Sequence, residues 1–176
     1  MPETIVHPAA WGMSAWQRRR SPMGSAPVLL IIYHSQSGNT GRLARAVEEG
    51  ARAVASVKVR RVAAGLATDQ DLKESRAVTF CSPEYFGYMA GAVKDFFDRT
   101  YENVRDHVIG KSYALVICAG NDGTGAVTSI ERIIKGLRMR RVQEPIICRG
   151  DLCGEMLERC RELGHTLAAG IELGIY

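Results

Sequence analysis

The sequence predicts an α/β fold: a three-layer doubly wound sandwich built on a five-stranded parallel sheet. Three observations carry that expectation. Five short apolar runs recur along the chain, each run precedes a stretch with helical periodicity, and the first run, "PVLLIIYHS", is apolar at consecutive positions. A strand that is apolar on both faces belongs inside a parallel sheet with helices above and below it. At 176 residues the chain suits one domain with a substantial core.

The elements follow in order. After the first strand, Leu43, Val47, Ala51 and Val54 mark one face of a helix. "SVKVRRV" alternates and reads as a strand near an edge. Thr68 and Asp71 have the spacing of a capping box for a short helix. "AVTFCS" is the third strand, and the helix beyond it buries Met89, Val93, Phe96 or Phe97, and Thr100. "SYALVICAG" is the fourth strand, followed by a helix with Val127, Ile130, Ile134 and Leu137 turned inward. "PIICRG" is the fifth, and Leu152, Met156, Cys160, Leu163 and Leu167 stripe the last helix. Residues 1–26 show no periodicity, contain Pro2, Pro8, Pro22, Gly12 and Gly24, and read as a disordered extension ahead of a domain at 27–176. They lack the apolar core of a secretory signal.

Charge and cysteines narrow the function. The net charge is +4, but Arg18, Arg19 and Arg20 against Glu3 place +2 of it in the extension. The remainder is too weakly basic for a nucleic-acid face. No run nears the roughly 18 apolar residues of a membrane helix, so no membrane association is expected. Five cysteines, at 81, 118, 148, 153 and 160, show no metal-ligand spacing. They read as small buried thiols in a reducing cytoplasm, with a redox pair of Cys148 and Cys153 as the alternative.

Doubly wound sheets bind ligands outside the carboxyl ends of their strands, which singles out three loops. The first, Ser35-Gln36-Ser37-Gly38-Asn39-Thr40, offers hydroxyls, an amide and backbone N–H groups at the start of a helix. A phosphate dianion can be held there by the helix dipole without a cation. The Walker lysine and the G-x-G-x-x-G glycines are both missing. The second, "CSPEYFGYMAG", gathers Pro83, Glu84, Tyr85, Phe86, Gly87 and Tyr88, and its aromatic rings suit a flat ligand. The third, "CAGNDGTGAVTS" at residues 118–129, follows Ala119 with Gly120, Gly123 and Gly125, whose freedom lets backbone approach a ligand, and with polar edges at Asn121, Asp122 and Thr124. One phosphate and a planar ring with polar edges describe flavin mononucleotide (FMN). An uncharged grip on the phosphate also avoids making such a ring easier to reduce.

On these residues the chain resembles the flavodoxin-like superfamily. "SQSGNT" is similar to the flavodoxin phosphate loop. "SPEYFGYMAGAVKDFFDRT" resembles the corresponding segment of flavin-dependent NAD(P)H reductases and of the quinone reductases once called tryptophan-repressor-binding proteins. The similarity spans about residues 27 to 170. It implies strand order 2-1-3-4-5, phosphate at Ser35 to Thr40, and a flavin ring between Glu84 to Gly87 and Ala119 to Gly123. The third loop has no tyrosine of the kind that carrier flavodoxins stack on the flavin.

The function expected from this is an FMN-dependent oxidoreductase passing electrons from NAD(P)H to a quinone or similar small acceptor. The alternatives are a flavodoxin-type carrier that serves a redox partner protein, and a flavoprotein that senses and turns nothing over. The resemblance implies a homodimer or homotetramer for a reductase and a monomer for a carrier. No acid or base is assigned, because the cofactor performs the redox step. His34 either faces the site or is structural. Arg138, Arg140 and Arg141 either attract a dinucleotide phosphate or form a solvated basic patch.

Overall fold

The computed structural model describes residues 26–176, so all but the last residue of the predicted extension lies outside the described residues. In chain order the elements are β1 (Val28–Tyr33), α1 (Asn39–Ala51), β2 (Lys58–Ala63), α2 (Asp69–Glu74), β3 (Ala77–Tyr85), β4 (Tyr88–Met89) and α3 (Gly91–Val104). They continue with β5 (Ser112–Ala119), α4 (Thr124–Gly136), β6 (Arg140–Arg141), β7 (Ile146–Arg149) and α5 (Gly154–Glu172). The sheet runs β2-β1-β3-β5 in parallel, with β6 and β7 sharing the outer edge of β5. This is the expected order 2-1-3-4-5, with its fifth strand divided in two. Between Tyr113↔Arg141 and Val116↔Ile146, three steps along β5 face five along the edge, and Pro145, which has no N–H to donate, closes that bulge.

Alternation along the strands builds two cores. Leu29, Ile31, Ala77, Cys81, Ala114, Val116 and Cys148 pack under α1 and α5. Leu30, Ile32, Val78, Phe80, Leu115 and Ile117 pack against the side of α3 and α4, where Phe80, Phe96 and Phe97 meet. Both Phe96 and Phe97 are buried, so the choice between them was unnecessary. Gly50 and Gly164 bring α1 and α5 into backbone contact, since an added Cβ would collide with the carbonyls of Arg161 and Val47. The capping box forms as expected: Asp71 N–H donates to Thr68 Oγ1 (3.2 Å) and Thr68 N–H to Asp71 Oδ2 (2.9 Å).

The cysteines form no disulfide, and four of them line the core beneath α1 and α5. Burial raises the thiols of Cys81, Cys118 and Cys148 above the ordinary value of 9.0, and pushes Cys160 up to about 12. Burial and the neighbouring Glu131 carboxylate likewise push the Tyr113 phenol up to about 12. Lys111 goes the other way: burial, then repulsion from Arg76, lowers it to about 8.

These shifts fix the sign of an alkaline effect. A proton held more tightly in the folded state stabilises below the unfolded value, and that stability is lost as pH climbs from about 9 toward about 12. Lys111 gains stability with pH between about 8 and its ordinary 10.5, but it is one group against five. The urea midpoint measured under reducing conditions is therefore expected to fall between pH 8.5 and 10.5 (roughly the window set by linkage). Cys160→Ala shrinks that drop, whatever it does to the midpoint at pH 8.5; an equal drop in the variant contradicts the assignment.

Candidate functional site

The carboxyl ends of β1, β3, β5 and β7 converge on one cavity of about 240 Å³. Gln36, Ser37, Asn39 and Thr40 form its first wall. Ser35 stands behind them, its Oγ accepting from Gly38 N–H at 3.1 Å and so holding the turn. Gly38 is in the left-handed region at φ 96°, with open space around its Cβ direction, so glycine is needed there for backbone conformation. The first helical bond of α1 runs from Arg42 N–H to Gly38 C=O (3.0 Å). The N–H groups of Asn39, Thr40 and Gly41 therefore have no acceptor inside the helix. No side chain caps α1, and its first turn carries no carboxylate.

The second segment corrects the sequence reading. Residues 81–91 are not a loop: β3 continues to Tyr85, turns at Phe86-Gly87, and returns as β4 with Glu84↔Met89 and Tyr85↔Tyr88 paired. Both turn residues have positive φ, 52° and 69°. That is the twist a two-residue hairpin requires, and at Phe86 it strains a bulky residue. The aromatic residues then separate. Tyr85 lines the cavity with Pro83 and Glu84, its ring edge-on to His34 at 6.3 Å between centroids. Phe86 and Tyr88 are exposed at the hairpin tip, and Met89 is buried in the core. His34 packs on Tyr85 and is not part of the wall.

Of the third loop, Ala119 and Gly120 face the cavity, whereas Asn121, Asp122 and Gly123 stand outside it. Asp122 Oδ1 accepts from Thr124 N–H and Thr124 Oγ1, both at 2.8 Å, which holds its carboxyl below the usual range, helped by Arg149. Arg149 also donates to the Asp122 carbonyl (3.2 Å). Gly123 and Gly125 serve packing rather than ligand approach: a Cβ on the former would strike Ile147, and on the latter the Gly87 carbonyl. Cys118 and Gly150 also line the cavity and were missed. Gly150 follows the last strand, so extending the carboxyl-end rule to that loop finds it; Cys118 carried no signal.

The hairpin is fastened to α4 by buried polar groups. Glu84 Oε2 accepts from Ala126 N–H (2.9 Å), across 42 residues of chain. Ser129 Oγ accepts from Met89 N–H (3.0 Å) and donates to the Ala126 carbonyl (3.0 Å), while Ser82 Oγ accepts from Ala90 N–H (3.0 Å). Two helices thus begin beside the cavity in opposite states. At α4 two carboxylates, Glu84 and Asp122, occupy the donors; at α1 they are free.

The three arginines lie elsewhere. Arg140 pairs with Ser112 at the start of β5, and seven steps of about 3.3 Å separate that end from Ala119. Arg141 is paired with Glu131 and Glu144, and Arg138 approaches Asp106 at 3.7 Å. Arg138 and Arg141 are ion-paired at the surface, and the three arginines lie away from the cavity.

A flavodoxin family profile matches residues 31–164. The chain belongs to the flavodoxin family. A flavodoxin of Aquifex aeolicus is 30% identical over 161 residues, covering 82% of this chain and 87% of that protein. Among solved structures, an archaeal flavodoxin superposes with a TM-score of 0.74 at 23% identity, covering 82% of this chain and 99% of its own. A WrbA-like flavodoxin protein of Agrobacterium tumefaciens gives 0.70 at 20%, covering 84% and 98%. The Flv1 flavodiiron core of Synechocystis gives 0.72 at 22%, covering 85% of this chain but 37% of that longer one. The flavodoxin fold is an FMN-binding fold. The donor set suits such a ligand, with free N–H groups and hydroxyls at one end of the cavity and Pro83, Tyr85 and Ala119 at the other.

The close approach of Gly125 to Gly87 gives a direct check. Gly125→Ala forces the hairpin off α4 and is expected to cost about 1–3 kcal/mol of stability, read from urea unfolding. A variant as stable as the parent contradicts the packing described.

Proposed function

We propose that this protein binds FMN through the loop Ser35 to Thr40 together with Pro83, Glu84, Tyr85, Ala119 and Gly120, and works as an electron-transfer flavoprotein. One observation carries the reading: the first turn of α1 lines the cavity with neither a side-chain cap nor a carboxylate of its own, and Tyr85 stands in the cavity's other wall. A phosphate would take the free N–H groups of Asn39, Thr40 and Gly41 with the hydroxyls of Ser37 and Thr40. Ser35 and Gly38 would shape the turn, and Tyr85 and Pro83 would pack on the ring. Bound FMN supplies one- and two-electron redox chemistry; the chain supplies its orientation, a dry wall and dipoles. Phe86 and Tyr88 are exposed at the hairpin tip next to Tyr85, where a redox partner or a planar acceptor would arrive.

The carrier reading is preferred because the described residues place no cationic cluster for a dinucleotide at this end of the sheet, and a relative in the same family bears the name flavodoxin. A reductase using NAD(P)H and a quinone remains the second reading, favoured by Phe86, strained at positive φ and fully exposed among the described residues. Mixing holoprotein with NADPH and with NADH under anaerobic conditions separates the two. The carrier reading predicts no bleaching of the flavin absorbance without an added reductase; rapid bleaching establishes the reductase.

Two substitutions test the site. Gly38→Val is expected to abolish FMN retention, because a β-branched residue resists positive φ; a fully loaded variant refutes the phosphate assignment. Tyr85→Ala weakens FMN binding by about 1–3 kcal/mol, whereas Phe86→Ala leaves it near the parent value. Equal losses at both positions move the ring to the hairpin tip.

A further inference from the structure

Helix α4 caps itself only at Thr124 N–H, from which Asp122 accepts. Its N-cap position is Gly123, which has no side chain, and Ala126 N–H lies in the first turn, where no helical carbonyl is available. The group that answers it comes from a different element, Glu84 on β3, at 2.9 Å. Glu84 also lines the cavity and pairs with Met89 across the hairpin, so one side chain joins the wall, the hairpin and the helix. Alanine here would leave a backbone donor without its partner and open the hairpin's hold on α4. Glutamine keeps a carbonyl oxygen at the same reach.

We infer that Glu84 is a positioning residue: by capping α4 from the hairpin, it sets the ring wall in place before any cofactor arrives. The inference rests on the FMN reading for its effect on binding, but the clamp itself exists in the protein alone. Its chemistry is acceptance by the carboxylate of a helix N–H, and the pair Glu84→Ala and Glu84→Gln isolates that hydrogen bond from side-chain bulk and charge. Ser129 and Ser82 still accept from Met89 and Ala90, so the hairpin of the Ala variant stays tethered while losing its link to Ala126.

The experiment uses the full-length chain in two states. In cofactor-free protein, amide hydrogen exchange is followed at Ala126 and across residues 85–90. In a separate titration, FMN affinity is read from quenching of flavin fluorescence. Glu84→Ala is expected to speed exchange at these amides by about tenfold and weaken FMN binding by about tenfold, the scale of one lost charge-assisted hydrogen bond. Glu84→Gln is expected to restore both to within about threefold of the parent. Parental exchange in Glu84→Ala overturns the inference, as does a Gln variant no better than the Ala variant. Failure of the parent itself to bind FMN sinks the cofactor reading instead, and the exchange measurement still judges the clamp.

Discussion

Each helix follows a strand and starts at the carboxyl end of the sheet, and the difference between the first turns of α1 and α4 organises the site. Helix termini leave N–H groups that must find acceptors, and their dipoles favour negative charge. At α4 that demand is met inside the protein by Glu84 and Asp122. At α1 neither a side-chain cap nor an acidic residue in the first turn meets it. An anion entering the cavity therefore has one favourable end to bind, and the end is set by where the carboxylates already are.

The same arrangement explains why no lysine is needed. Free backbone N–H groups flanked by Ser37, Asn39 and Thr40 supply directed donors, and the turn that aims them depends on Gly38 and on the Ser35 hydroxyl behind it. Opposite them, the hairpin presents Tyr85 and Pro83 at fixed height because Ser129, Glu84 and Gly125 tie it to α4 and Ser82 ties it to the start of α3. A wall held by buried polar links in a region of low dielectric is costly to deform, which favours a site formed in advance of its ligand.

Local features were legible in the sequence, and long-range ones were not. The helix faces, the Thr68–Asp71 capping box and the six-residue first loop each follow from neighbours in the chain, whereas the strand order came only with the family resemblance. The hairpin escaped because β4 is two residues long and its partner strand contains Pro83, a signal that ends strands. β6 escaped because Arg140 and Arg141 carry no strand pattern and pair with β5 only through tertiary structure. The roles of Gly123 and Gly125 were misread for a physical reason: a glycine that makes room for backbone looks the same in sequence as one that makes room for a ligand. Glu84 was placed at the ring side, yet its bond to Ala126 spans 42 residues and no spacing rule reaches so far.

The central claim is that the open end of α1 grips a phosphate with uncharged donors. Parallel titrations of the cofactor-free protein with FMN and with riboflavin, which differ only in that phosphate, address it most directly. FMN binding tighter than riboflavin by roughly a hundredfold or more is predicted, the scale of several charge-assisted hydrogen bonds at a helix terminus. Equal affinity for the two, or no affinity for either, contradicts it.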